Sequence, residues 1–92
     1  NGLITKIAPE VPTESNMLVI EGNGRTLMPG LIDAHTHLAM ASIPIHVLLA
    51  SDAGYIFIHV AKEAERTLLR GFTTVRDAAG PVFGLKRAID EG

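Results

Sequence analysis

The sequence predicts an α/β chain in which short β strands precede a strand, helix, strand, helix succession. Three observations carry that reading. The run Leu31 to His37 is set off by Pro29-Gly30, which breaks the preceding β region. Farther on, Ile56, Val60, Ala64 and Leu68 recur at four-residue spacing, the buried stripe of an amphipathic helix. Gly71 then stands before Phe72-Thr73-Thr74-Val75-Arg76-Asp77, a segment rich in strand formers. Strands alternating with helices over short links imply parallel strands joined by right-handed crossovers. The pattern by itself fits a closed (β/α)8 barrel and an open doubly wound sheet equally well.

Taken in order, Asn1-Gly2 is a hairpin-type dipeptide followed by the β-branched stretch Leu3 to Ile7. Pro9 and Pro12 end that strand, and the chain from Pro9 to Asn16 is a loop. Met17 to Glu21 reads as a second strand and Arg25 to Met28 as a third, with Gly22-Asn23-Gly24 supplying the positive φ angles of a tight turn. No helix follows that Gly-x-Gly directly, so it has no phosphate-binding character. In the strand from Leu31 to His37, Ile32 and Ala34 take the face opposite the histidines and would pack under helices. Leu38 to Ala50 is a loop or short helix, read either as an apolar wall over a site or as a buried connector. Ser51 or Asp52 can cap the helix that follows, Gly71 closes it, and its Lys62, Glu63, Glu65, Arg66 and Arg70 form a solvated face. Gly80-Pro81 opens a last helix over about 82–91.

Composition narrows the function. The 92 residues are 47% hydrophobic and 20% charged, which suits a folded core. A formal net charge of −2 offers no basic footprint for nucleic acid or an anionic membrane. The apolar stretch from Leu38 to Ala50 is too short for a span of about 20 residues, and no signal-peptide pattern is visible. With no cysteine, any metal must take nitrogen and oxygen ligands. We therefore expect a cytoplasmic protein with a small-molecule substrate, no nucleic-acid or membrane partner, and a possible homo-oligomeric state. Both ends look cut: the chain opens in a turn and closes as a helix about to enter another strand.

His35 and His37 are the candidate chemistry. Residues i and i+2 of a strand point the same way, roughly 6–7 Å apart at Cα, so the two imidazoles can lean onto one divalent ion. Their place at the strand's carboxyl end is where α/β sheets and barrels keep active sites. Asp33 shares their face; it either orients an imidazole or is a polar residue of the layer below. Asp77 ends the second β segment and faces the same mouth, as a substrate contact or as a cap for Ala78-Ala79-Gly80. Arg76 suits a structural ion pair. His46 and His59 have no visible ligand partner and read as structural or surface residues.

The run Met28-Pro29-Gly30-Leu31-Ile32-Asp33-Ala34-His35-Thr36-His37 resembles the first-strand signature of the amidohydrolase superfamily. Gly71 to Asp77 resembles its second barrel strand, closest to the imidazolonepropionase-like and Xaa-Pro dipeptidase-like branch. Asn1 to Pro9 resembles a hairpin of the small β domain that precedes the barrel. The resemblance implies that residues 1–28 are part of a β-sandwich and residues 29–92 the first two β/α units of a (β/α)8 TIM barrel. It implies metal ligation by His35 and His37, with one or two divalent ions, zinc first among them. Those ions polarise a carbonyl and activate water, a carboxylate on the last barrel strand takes the proton, and an amide, peptide-like or cyclic amide C–N bond is hydrolysed. Further ligands and the general base would lie on later strands. A deaminase of the same superfamily, or a barrel that has lost its metal, are the alternatives. Two ligands and two strands lead us to expect the 92 residues alone to be inactive.

Overall fold

A computed structural model describes residues 2–92; Asn1, the first half of the expected opening turn, lies outside the described residues. The elements are β1 (Leu31–Thr36), α1 (Leu38–Ala41), α2 (Ile45–Ala50), α3 (Ala53–Leu69), β2 (Phe72–Asp77) and α4 (Phe83–Glu91). β1 and β2 pair in parallel, with Leu31 opposite Phe72, Asp33 opposite Val75 and Thr36 opposite Asp77. The ladder continues past both ends: the Leu31 N–H donates to the Gly71 carbonyl at 2.8 Å, and the Ala78 N–H to the Thr36 carbonyl at 2.9 Å. The carboxyl ends of the two strands therefore finish side by side, carrying His37 and Asp77. A register irregularity between Asp33 and Thr36 falls on the His35 segment, the kind of local break that re-aims side chains near a strand end.

Local sequence accounts for the helix boundaries. Asp52 caps α3, its Oδ1 accepting the Tyr55 N–H at 3.1 Å, whereas the Ser51 hydroxyl donates back to the Val47 carbonyl at 2.7 Å and closes α2. α3 ends at Gly71, whose φ of 96° is open to glycine and strained for other residues. The core is small. Leu38, Ala39 and Val60 are buried together, with Ile56, Ala64, Val75, Val82 and Leu85 packed around them. Leu38 to Ala50 folds as α1 and α2; Leu38, Ala39 and Ile43 are buried, whereas Ile45 and Leu49 on α2 are exposed.

Two expectations are corrected, and a third, the early strands, is not met among the described residues. On α3, Ile56, Val60 and Ala64 of the expected stripe face the core, but Glu63 and Thr67 are buried beside them while Leu68 is 59% exposed, so the inward face turns off the simple four-residue stripe over the last turns of the helix. Glu63 can turn inward because Arg70 meets its carboxylate at 2.7 Å and Arg66 at 3.8 Å. Ile32 is 71% exposed and Ala34 is exposed as well, because α3 packs over α1 and β2 and leaves that face of β1 open. Among the described residues before Leu31 there is no strand. The Gly22-Asn23-Gly24 turn does form, with φ of 50° at Asn23 and 77° at Gly24 and the Arg25 N–H on the Gly22 carbonyl at 2.9 Å. Its flanks do not pair, since Leu18, Ile20 and Leu27 are more than four-fifths exposed and have no apolar face to bury. This segment stretches the molecule to a radius of gyration of 18.1 Å, against about 12 Å for a compact chain of this length. No helix among the described residues is long and apolar enough to cross a membrane.

Candidate metal centre

β1 delivers His35 near its end and His37 one residue beyond it, where His37 also serves as the N-cap of α1. The two rings meet edge to face with centroids 5.0 Å apart, and their Nε2 atoms lie 3.2 Å from one another. That separation provides a direct test of fit. Two imidazole nitrogens bound at about 2.05 Å in a tetrahedral arrangement sit about 3.3 Å apart. The separation of the pair is therefore compatible with the bite of a divalent ion. His35 is exposed and His37 half-buried. Among the described residues no third histidine or carboxylate joins them in a ligand cluster.

One contact bears on the tautomer of His37. Its Nδ1 lies 3.3 Å from the carbonyl oxygen of Ala79, in the loop after β2. A carbonyl only accepts, so this contact is a hydrogen bond in the tautomer that carries the hydrogen on Nδ1, and in that tautomer Nε2 keeps its lone pair. Sequence reasoning missed Ala79 because a backbone carbonyl has no side-chain signature.

The other candidates fall around this pair. Asp33 is half-buried, and its Oδ1 accepts the backbone N–H of His35 at 2.9 Å; it holds the backbone of the ligand segment rather than a ring. Asp77 uses both oxygens on backbone: Oδ2 accepts the Leu38 N–H at 2.9 Å and Oδ1 the Ala79 N–H at 3.1 Å. It therefore ties the loop after β1 to the loop after β2. Arg76 donates to the Ala34 carbonyl at 3.4 Å, a strand-to-strand contact in place of the expected ion pair. His59 stacks on Tyr55 one turn earlier in α3, with centroids 4.3 Å apart, and His46 is exposed on α2. Neither approaches the His35–His37 pair in a ligand cluster.

Comparison with known proteins places the sequence in a family. The Amidohydrolase family profile covers residues 26–92. An imidazolonepropionase from Treponema denticola is 39% identical over 67 residues, 66% of this chain and 16% of that protein. A dihydroorotase from Bacillus caldolyticus is 39% identical over 61 residues, 60% of this chain and 14% of that protein. A dihydropyrimidinase from Arabidopsis thaliana is 42% identical over 40 residues, 44% of this chain and 8% of that protein. The chain thus spans less than a fifth of the length of each of these relatives. No solved structure matches it significantly. With its profile match running from the residues before β1 through α4, the chain belongs to the Amidohydrolase family.

Proposed function

We propose that this chain supplies the opening β/α units and two metal ligands of an amidohydrolase that hydrolyses the C–N bond of an amide, peptide-like or cyclic amide substrate. The observation that carries the reading is the 3.2 Å approach of His35 Nε2 and His37 Nε2 at the carboxyl end of β1. Family membership supports it, and relatives named imidazolonepropionase, dihydroorotase and dihydropyrimidinase support a cyclic amide as the first substrate class to test. In this reading residues 29–92 begin a (β/α)8 barrel, and the segment before them contributes strands to a β-sandwich whose partners lie elsewhere in a longer protein.

A divalent ion, zinc first among candidates, would supply carbonyl polarisation and a water of lowered pKa. The residues of this chain would do three things around it. His35 and His37 present two nitrogens at the right bite. The Ala79 carbonyl keeps the hydrogen of His37 on Nδ1. The Asp33 carboxylate holds the backbone N–H of His35, which limits rotation of the segment bearing the first ligand. A third ligand and the group that accepts the water's proton are assigned to parts of the protein beyond these residues, since a catalytic site needs three ligands and an open position. Asp77 lines the mouth beside the pair without being a ligand.

The test uses the full-length protein. Elemental analysis should find divalent metal in the wild type and much less in the His35→Ala, His37→Ala double variant. A panel of cyclic amides, acyl-amino acids and dipeptides should show turnover that the double variant lacks. Equal metal content in the two proteins would remove the assignment.

A further inference from the structure

The geometry points to Asp77 as a positioning residue that sets the ring of His37 through the Ala79 carbonyl. The inference rests on His37 being a ligand, as proposed above. Three hydrogen bonds form a closed circuit. The His37 Nδ1–H reaches the Ala79 carbonyl at 3.3 Å, the Ala79 N–H reaches Asp77 Oδ1 at 3.1 Å, and the N–H of Leu38, the residue after His37, reaches Asp77 Oδ2 at 2.9 Å. Covalent bonds close the rest of the ring, through the Ala79 backbone and the His37–Leu38 peptide. Asp77 thus grips the backbone on both sides of the contact it does not itself make.

The chemistry requires a group of this kind. The His37 contact joins two loops from different strands, and at 3.3 Å it is long for a hydrogen bond. By itself it would not hold the ring against rotation. A carboxylate accepting two backbone N–H groups makes stronger, charge-assisted bonds; the one from Leu38 is partly buried and the one from Ala79 is exposed. Gly80 completes the device. Its φ of 140° sets the plane of the Ala79–Gly80 peptide, and so the direction of the carbonyl, in a conformation L residues rarely adopt. Partners that orient a ligating histidine through its other nitrogen typically contribute 10- to 100-fold to metal affinity.

Two measurements on the full-length protein test this. In the metal-free wild type with 15N-labelled histidine, the His37 ring should carry its hydrogen on Nδ1; a ring protonated on Nε2 would overturn the inference without any variant. Zinc affinity, read by competition with a chromophoric chelator, should fall about 10- to 100-fold in Asp77→Ala. The fall should be smaller in Asp77→Asn, which retains one acceptor oxygen, and Gly80→Ala should weaken binding with the carboxylate intact. In the same Asp77→Ala protein the His37 ring should populate both tautomers. Unchanged zinc affinity together with an unchanged tautomer in folded Asp77→Ala would overturn the proposal. The His35→Ala, His37→Ala protein separates the two layers: if it binds zinc like the wild type, the ligand assignment fails, while the wild-type tautomer still reports on the circuit.

Discussion

Gly30 and Thr73 approach so closely that no side chain fits between them: a Cβ on Gly30 would lie 2.6 Å from Thr73 Cβ and closer still to Oγ1 and Cγ2. The contact sits where β1 enters the sheet beside β2. Rotating Thr73 moves its outer atoms and leaves its Cβ in place, so a rotamer change does not relieve the clash. Gly30→Ala should therefore separate the strand entries and cost about 1–3 kcal/mol, read as a lower urea midpoint. The Thr73→Gly change should recover much of that loss when combined with it and should not help the wild type. Independent, additive effects of the two substitutions would show that the approach is not a packing constraint.

The histidine pair carries the next expectation. Single variants His35→Ala and His37→Ala in the full-length protein should each weaken zinc binding by at least about 100-fold, at or beyond the upper end of what an orienting partner contributes. Asp33→Asn should weaken it less, because the amide oxygen can still accept the His35 N–H. Chelator competition checks all three. A His35→Ala protein with wild-type affinity would mean that the 3.2 Å approach is incidental.

Asp52 and Ser51 separate by role. Asp52→Ala removes the N-cap of α3 and should cost about 1 kcal/mol. Ser51→Ala removes one bond to the Val47 carbonyl and should cost less, since that carbonyl ends a short helix near water. Thermal melts of the two variants give the order, and a larger loss in Ser51→Ala would reverse the assignment.

Glu63 is the charged group turned inward. Its side chain is 8% exposed, while those of Arg70 and Arg66 are more than half exposed. Because the arginines stay in water, the pair is worth less than a fully buried one, about 1–2 kcal/mol. Arg70→Ala should destabilise more than Arg66→Ala, since it strips the 2.7 Å bond from a carboxylate that burial keeps from water. Glu63→Gln should retain most of the stability. Denaturant midpoints of the three variants decide it.

The parts of the fold legible in the sequence are those fixed by neighbours along the chain. Pro29-Gly30 and Gly71 bracket elements that the structure places at Leu31–Thr36 and Phe72–Asp77, and the Asp52 cap and Asn23-Gly24 turn form from local chemistry. Residues whose state depends on distant partners were read less well. Leu18 and Ile20 have strand composition, yet a ladder needs a second strand and an apolar face to settle on. Glu63 has two arginine partners along its own helix, yet its burial depends on how α3 packs against α1 and β2, which helix periodicity alone does not show. At the candidate site, the i, i+2 spacing accounts for the closeness of the two imidazoles, whose Nε2 atoms lie 3.2 Å apart. The Ala79 carbonyl was invisible because it becomes a partner of His37 only through the pairing of two strands.

That dependence ties the histidine to the alignment of the sheet. Shifting β2 by one residue against β1 would carry the Ala79 oxygen about 3.3 Å along the strand direction, as far as the distance it now spans to Nδ1. The hydrogen bond would be gone and the ring released. A chain that pairs its strands out of step would thus lose the means of aiming its second imidazole, so, on the proposed metal assignment, ion affinity would report whether the first two strands have found their proper alignment.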